Sequence, residues 1–164
     1  MITQYLLPDS AEQAVAELAA GAAVLGGGTL LMPAAHAGTL DAERVVGLAR
    51  AGLSGIESEG GRTTIGATTP LAAVADLDGA VGAAARAVGG PTLRNMATIG
   101  GNLLAGAPYG DVGVALLALE AEVTLSGRTI PLGELWDTFD PATEIILSVA
   151  FEDDPDSVFL RWAR

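Results

Sequence analysis

The residues of this 164-residue chain that are best suited to chemistry lie between positions 91 and 111, in the segment PTLRNMATIGGNLLAGAPYGD. Thr98, Gly100, Gly101 and Asn102 place a hydroxyl group, bare backbone and an amide side chain close together. Hydroxyl and amide groups hydrogen-bond to phosphates and ribityl chains, and glycine lets a bulky group approach the main chain. The segment therefore predicts one wall of a ligand site. Asp111 is either an acceptor for ligand hydroxyls or the N-cap of a helix that starts at position 112.

A second glycine-rich stretch, LGGGTLL at positions 25–31, has the composition of a phosphate-binding loop. It follows a short apolar run at 22–25 and precedes a helical pattern at 30–37. Such a junction exposes several backbone N–H groups on one concave surface, and a helix N-terminus adds partial positive charge. The stretch is neither a Walker A loop nor a complete GxGxxG pattern, since Leu31 takes the place of the third glycine. A tight turn in a chain rich in alanine and glycine explains it equally well.

The other polar residues predict structural roles. Thr69, in IGATTPL at 65–71, is the expected cap of a helix that begins near position 70. His36 has no nucleophile motif nearby, and the acidic turn at 152–156 lacks the ligand spacing of a calcium loop. We therefore assign no catalytic residue and no metal site. Four aromatic residues are predicted to pack in the core or at an interface: Trp136, Phe139, Phe159 and Trp162.

Composition and charge exclude several classes of protein. Twenty acidic residues against eight basic ones give a net charge of −12, which lacks the basic surface that nucleic acids need and repels anionic membranes. Without cysteine, the chain holds no disulfide, thiolate zinc site or iron–sulfur cluster of its own. No apolar run reaches the roughly 20 residues of a membrane span, and no signal-peptide pattern opens the chain. We expect a cytoplasmic protein without nucleic-acid or membrane partners.

The elements that must position these residues fall into two parts, 1–54 and 55–164. A helix at 11–20 and strands at 22–25 and 44–48 predict a small α/β unit with parallel strands. In the second part the expected helices lie at 71–77, 80–88 and 112–119, and the expected strands at 62–67, 122–125, 129–132, 144–151 and 158–163. The predicted fold class is α+β, with an antiparallel sheet in the second part.

Taken together, the motifs resemble the FAD-binding domain of the molybdenum hydroxylases, the medium or flavoprotein subunit of xanthine dehydrogenase and carbon monoxide dehydrogenase type enzymes. The resemblance is carried by YLLPDSAEQAVAELA, LGGGTLL, TIGATTPLAAVA, RNMATIGGNLLAGAPYGD, EIILSV and FLRWAR. Its most specific part is the RNxxTIGGN pattern followed by an aspartate. It implies the FAD-binding PCMH-type fold, in which FAD lies between a small parallel α/β subdomain and a larger subdomain with an antiparallel sheet.

The resemblance also implies which residues contact FAD. The pyrophosphate would be wrapped by Leu25, Gly26, Gly27, Gly28, Thr29 and Leu30, and the ribityl, phosphate and adenosine-side groups would be held by Thr98, Gly100, Gly101, Asn102 and Asp111. Leu147 would line the flavin or adenine pocket, and Arg161 stands where the family usually has a lysine near the flavin. Two positions depart from the family pattern: Ala107 replaces an acidic residue before Pro108, and Gly28 replaces a polar side chain.

By resemblance, the protein is an oxidoreductase component. Its FAD would pass electrons from a [2Fe–2S] partner subunit to NAD, oxygen or another acceptor, while a molybdopterin-containing large subunit oxidises the substrate. Family members normally continue into a C-terminal α/β domain, so a chain that stops at Arg164 is expected to be truncated, standalone or completed by a separate chain, and inactive without its partners. The alternative function is a flavin-free module for assembly or interaction.

Overall fold

Two sheets, one parallel and one antiparallel, organise the chain, which a computed structural model describes over residues 2–106 and 110–161. This arrangement confirms the predicted α+β class. None of the helices in the described ranges is long and apolar enough to cross a lipid bilayer.

The smaller subdomain is a three-stranded parallel sheet with two helices. Its strands are β1 (Gln4–Leu6), β2 (Ala22–Leu25) and β3 (Arg44–Gly47), in the order β1-β3-β2, and its helices are α1 (Ala11–Leu18) and α2 (Leu31–His36). At the start of α1 the Ser10 hydroxyl accepts a hydrogen bond from the Gln13 N–H at 3.3 Å, as its capping pattern predicts. Apolar side chains of α1 and β3 form a small core with Ile145 from the other end of the chain.

The larger subdomain is built on a five-stranded antiparallel sheet. Its strands are β4 (Ile56–Glu59), β5 (Arg62–Gly66), β6 (Glu122–Leu125), β7 (Thr129–Pro131) and β8 (Ile146–Glu152), in the order β4-β5-β8-β6-β7. Its helices are α3 (Leu71–Val74), α4 (Gly79–Ala87), α5 (Pro91–Met96), α6 (Ile99–Leu103), α7 (Asp111–Ala118) and α8 (Leu135–Thr138), which a 3-10 turn precedes (Leu132–Glu134). Helices and sheet share one apolar core.

The glycine segment at 91–111 is more regular than its composition predicts. Helices α5 and α6 occupy most of it, and the Thr98 hydroxyl caps α6 by accepting a hydrogen bond from the Gly101 N–H at 3.3 Å. Gly110, not Asp111, is the N-cap of α7, and Asp111 is its first helical residue. Ile99 and Leu103 are buried in the larger core and Gly100 lies against Ala67, and this packing holds α6 in a conformation that glycine alone disfavours.

The strand expected at 158–163 is wrong over its described residues, 158–161, which form no strand. Strand β8 is already paired on both sides, with β5 and β6, so it has no free edge for this segment. The segment lies along α4 instead, where the Ser157 hydroxyl accepts a hydrogen bond from the Ala80 N–H at 2.9 Å. Sheet pairing therefore overrides the local apolar pattern.

The approach to β8 joins the two cores. Ile145 is buried in the smaller core and Leu147 packs against it, whereas Ile146 and Val149 are buried in the larger core. Side chains of an extended strand alternate between its two faces, and a register shift in the pairing of β8 with β6 between Ile146 and Ser148 lets Ile146 and Val149 share one core, so a single strand serves both clusters. The two subdomains are thus stitched together beside the predicted ligand site.

Candidate functional site

The loop that follows β2 lies directly against the segment that joins α5 to α6. A Cβ atom added to Gly26 would lie 2.8 Å from the Thr98 hydroxyl oxygen, and one added to Gly27 would lie 1.7 Å from the Met96 carbonyl oxygen. Real Cβ atoms do not approach other heavy atoms so closely, so glycine is needed here by the protein's own packing. The two glycine-rich stretches that the sequence singles out are therefore brought into contact.

The backbone N–H groups of this loop form a potential anion site. Leu25 closes the parallel sheet by accepting a hydrogen bond from the Leu48 N–H at 3.0 Å, and the chain then turns through Gly28, whose φ is +73°. Within the described residues, no hydrogen bond is formed by the N–H groups of positions 26–29. A concave run of such donors attracts anions, phosphate in particular.

Two cavities open on either side of Gly101. The first, of about 250 Å³, lies between the subdomains and is lined by Ala23, Val24, Gly26, Leu48, Ala67, Thr68, Thr98, Gly100, Gly101, Leu104, Phe139, Pro141, Glu144, Ile145 and Ile146. The second, of about 580 Å³, is lined by Thr29, Leu30, Ala87, Val88, Gly89, Leu93, Ala97, Gly101, Asn102, Ala105 and Arg161. The glycine loop contributes to both, through Gly26 in the first and Thr29 and Leu30 in the second.

The structure brings eight of the thirteen predicted contact residues to these cavities. The other five line neither among the described residues: Leu25, Gly27, Gly28, Asp111 and Leu147. Leu25 ends β2, Gly27 and Gly28 form the back of the loop, and Leu147 packs against the smaller core. Their contacts with FAD remain predictions, and so do those of the eight residues that line the cavities.

The paired glycines of α6 differ in what surrounds them. A Cβ atom on Gly100 would lie 3.0 Å from the Ala67 carbonyl oxygen and 3.1 Å from the Ala67 Cβ, so packing inside the subdomain requires a small residue. A Cβ atom on Gly101 would meet only the Thr98 hydroxyl, at 3.1 Å, and otherwise faces open space. Gly101 is thus the glycine of this pair whose missing side chain leaves room between the two cavities.

Arg161 provides a positive charge at the mouth of the second cavity. Its Nη1 atom donates a hydrogen bond to the Ala87 carbonyl at 3.0 Å and lies 3.5 Å from the Asp111 Oδ2 atom. The side chain is 54% exposed, so the guanidinium remains accessible to a ligand. Asp111 therefore positions a charge beside the cavity instead of lining it.

The prediction that Thr69 of IGATTPL caps the helix near position 70 is wrong. Thr69 does not cap α3, because its hydroxyl accepts a hydrogen bond from the Gly55 N–H at 2.9 Å and donates one to the Gly55 carbonyl at 3.0 Å. Pro70 is the N-cap instead. Thr68, which the sequence did not single out, lines the first cavity. The alternation of side chains at the end of β5 is the signal that could have separated the two.

Other cavity residues were missed because they come from distant parts of the chain. Phe139, Pro141 and Glu144 line the first cavity, and Val88 and Leu93 line the second.

Phe139 also packs against the larger core, as does Phe159. Trp136 is half-exposed and donates a hydrogen bond to the Leu103 carbonyl at 2.8 Å. Trp162, Ala107 and Pro108 lie outside the described residues.

Glu144 lines the first cavity and carries a negative charge. The Arg128 guanidinium donates hydrogen bonds to both carboxylate oxygens, at 2.7 and 3.1 Å, and these bonds lower the pKa of Glu144 from its ordinary value of 4.5. The pair is therefore ionised at neutral pH and adds no net charge to the wall.

The chain is similar in sequence to known proteins. The model of the family described as the FAD binding domain in molybdopterin dehydrogenase matches residues 1–151. The medium chain of carbon monoxide dehydrogenase from Hydrogenophaga pseudoflava is 32% identical over 144 residues, which make up 78% of this chain and 50% of that relative. The chain thus spans about half the length of the relative that it matches.

Solved structures show the same fold. Carbon monoxide dehydrogenase from Hydrogenophaga pseudoflava, lacking the Mo-pyranopterin moiety of its cofactor, superposes with a TM-score of 0.84 at 27% identity, over 93% of this chain and 59% of the other. A cyanide-inactivated Cu,Mo-CO dehydrogenase gives 0.82 at 28% identity, over 94% and 61%. Quinoline 2-oxidoreductase from Pseudomonas putida 86 gives 0.82 at 20% identity, over 91% and 58%, which is a likeness of fold.

Proposed function

The chain belongs to the family of FAD-binding domains of molybdopterin dehydrogenases, and from this premise we propose that it binds FAD as part of the medium subunit of a molybdenum hydroxylase of the carbon monoxide dehydrogenase type. The observation that carries the proposal is the pair of cavities on either side of Gly101, joined by the loop at 26–29, whose N–H groups form no hydrogen bond to any described residue.

The shape of the cleft suits a dinucleotide. FAD has two ring systems joined through a pyrophosphate, so its site needs two cavities with an anion-binding segment between them. Gly26 lines one cavity and Leu30 the other, and the intervening N–H groups would face the pyrophosphate. Backbone dipoles can hold this anion without a lysine, which is consistent with a chain whose net charge is −12.

Polar side chains along the cleft would hold the rest of FAD. The Thr98 hydroxyl and the Asn102 amide lie on either side of Gly101 and would hydrogen-bond to the ribityl chain and the phosphates. Arg161 would interact with the part of FAD that occupies the second cavity. Asp111 would act through Arg161, and Leu25, Gly27, Gly28 and Leu147 would support the loop and the wall behind the cofactor.

When bound, FAD would supply the redox chemistry that links a [2Fe–2S] partner subunit to NAD, oxygen or another acceptor. The chain's own residues would bind and orient the cofactor and set the charge around it. Oxidation of the substrate would belong to a molybdopterin-containing large subunit. We therefore expect no turnover from this chain without its partner subunits.

The flavin content of the purified chain tests the proposal. We expect a yellow protein that releases FAD on denaturation, and a Gly101→Val variant that binds added FAD at least about tenfold more weakly, because the new side chain enters the space between the cavities. Gly127→Val is the matched control, since a Cβ atom at Gly127 meets nothing within 4 Å.

Two results would contradict the proposal. A folded Gly101→Val protein with unchanged FAD affinity would remove this glycine from the site. A colourless wild-type chain that binds no FAD on titration, even with partner subunits present, would favour the flavin-free interaction module.

A further inference from the structure

One wall of the first cavity is a short connection between α8 and β8. We call this connection together with the last residue of α8, residues 138–145, the strap. Phe139, Pro141 and Glu144 of the strap face the cavity, and Val24 and Leu48 of the smaller subdomain line it as well. The position of the strap therefore sets the width of the cavity between the two subdomains.

Arg128, in the turn between β6 and β7, forms hydrogen bonds with both ends of the strap. Its Nη2 atom donates a hydrogen bond to the Thr138 carbonyl at 2.8 Å, at the start of the strap. Its Nε and Nη2 atoms bind the two Glu144 carboxylate oxygens near the end of the strap, at 2.7 and 3.1 Å. A bidentate arginine–carboxylate pair fixes orientation as well as distance. The Glu144 side chain is only 16% exposed, so water screens this contact less than it would a surface pair.

The strap is also braced from within. The Asp140 carboxylate accepts hydrogen bonds from the Ala142 N–H at 2.9 Å and from the Thr143 hydroxyl at 3.0 Å. The Asp140 N–H in turn donates to a Glu144 carboxylate oxygen at 3.2 Å. Because these bonds hold the strap as a unit, a change in its attachment would move the whole wall and not one side chain.

We propose that Arg128 is a positioning residue for FAD: it pins the strap so that Phe139 and Pro141 stand at the right distance from the smaller subdomain to hold one half of the dinucleotide. Arg128 itself is not among the described residues that line the cavity, so it acts through Glu144 and Thr138. This inference rests on the proposed function.

The test compares Arg128→Ala with Arg62→Ala in the full chain. Arg62 is a matched control because its side chain is equally exposed, at 39%, and pairs with Glu122 and Glu152 on the sheet, away from either cavity. Both variants remove one positive charge and at least one ion pair. We expect FAD to bind about tenfold more weakly to Arg128→Ala and within about twofold of wild type to Arg62→Ala, measured by flavin fluorescence titration.

Two further measurements separate positioning from simple stabilisation. In Arg128→Ala, hydrogen exchange of the strap amides should rise in the FAD-free protein and return toward the wild-type level when FAD saturates the site. A Glu144→Gln variant keeps the shape of the side chain and should weaken FAD binding in the same direction. Combined with Arg128→Ala it should add little, because both changes break the same contact. If Arg128→Ala does not fold, Arg128→Lys serves as the test, because it keeps the positive charge but loses the bidentate contact with Glu144.

The outcomes are distinguishable. Wild-type affinity for FAD in Arg128→Ala, or an equal loss in Arg62→Ala, would overturn the positioning role while leaving the proposed function intact. A wild-type chain that binds no FAD, even with partner subunits present, would overturn the proposed function and this inference with it.

Discussion

Replacing Gly27 by alanine should destabilise the protein even when no FAD is present. The added Cβ atom would lie 1.7 Å from the Met96 carbonyl oxygen, 2.6 Å from the Met96 carbonyl carbon and 3.1 Å from the Ala97 Cα. All three are main-chain atoms, which cannot rotate away as a flexible side chain would. Gly27 has no positive φ, so the effect is steric and not a matter of backbone strain.

The size of the effect follows from the displacement that the methyl group requires. To restore an ordinary contact, the loop after β2 and the segment before α6 must separate by more than about 1 Å, and this disturbs the packing between the subdomains. Overpacking of this kind typically costs about 1–3 kcal/mol. Because the clash is with backbone, we expect a loss near the top of that range, about 3 kcal/mol, or a fall in Tm of roughly 6–12 °C for a chain of this length.

Urea unfolding of the FAD-free protein measures this loss directly. Gly127→Ala is the control, because its Cβ atom would meet nothing within 4 Å, and it should unfold close to the wild-type midpoint. If Gly27→Ala kept the wild-type midpoint and lost only FAD, Gly27 would serve to clear space for the ligand. This result would contradict the prediction that a side chain at position 27 clashes with the Met96 carbonyl.

Three further predictions follow from single contacts. Thr69→Val should lower the free energy of unfolding by about 1–2 kcal/mol in urea titrations, because it leaves the Gly55 N–H without its hydroxyl partner. Glu144→Gln should cost up to about 1 kcal/mol at pH 7, because it breaks the partly exposed pair with Arg128. Since the folded pKa of Glu144 is lowered, that difference should be complete above pH 5 and disappear as the pH falls below 4.5 through the lowered pKa, as unfolding at a series of pH values will show. Arg161→Ala should weaken FAD binding about three- to tenfold and reduce its dependence on salt, with little change in Tm, because the side chain is mostly exposed; a salt dependence equal to that of wild type would contradict a role for its charge.

The elements with strong periodicity or clear end signals could be predicted from the sequence. Helix α1 begins after the Ser10 cap, and β2 ends at Leu25, just before the first glycine of LGGGTLL, both close to their expected positions. Strands β1 and β4 were not predicted, because their sequences, QYL and IESE, are mostly exposed and contain no apolar run or regular alternation that would indicate a strand. The segment at 158–161 shows the opposite failure, since its apolar pattern is real but β8 offers it no free edge.

The candidate site was predictable where its residues are close in sequence. Gly26 and Thr98 come from the two stretches that the sequence singled out, and the structure places them in contact. The strap and Val88 were not predictable in this way, because only the tertiary fold brings them to the cavities. The role of Thr69 was not predictable either. Its hydroxyl hydrogen-bonds to Gly55, fourteen residues away, and capping rules consider only residues that are close in sequence.

Residues 145–149 contribute side chains to both cores, and this limits the movements with which the protein can admit a cofactor. Ile145 and Ile146 are adjacent in sequence but are buried in different cores. A hinge movement of one subdomain relative to the other would therefore have to pull one of these side chains out of its core. We therefore expect entry to the cleft to depend on local movements of its edges, and unfolding to proceed as one cooperative transition. A ligand held at a hundred times its Kd adds about 2.7 kcal/mol to the free energy of unfolding, and here both subdomains would gain it together.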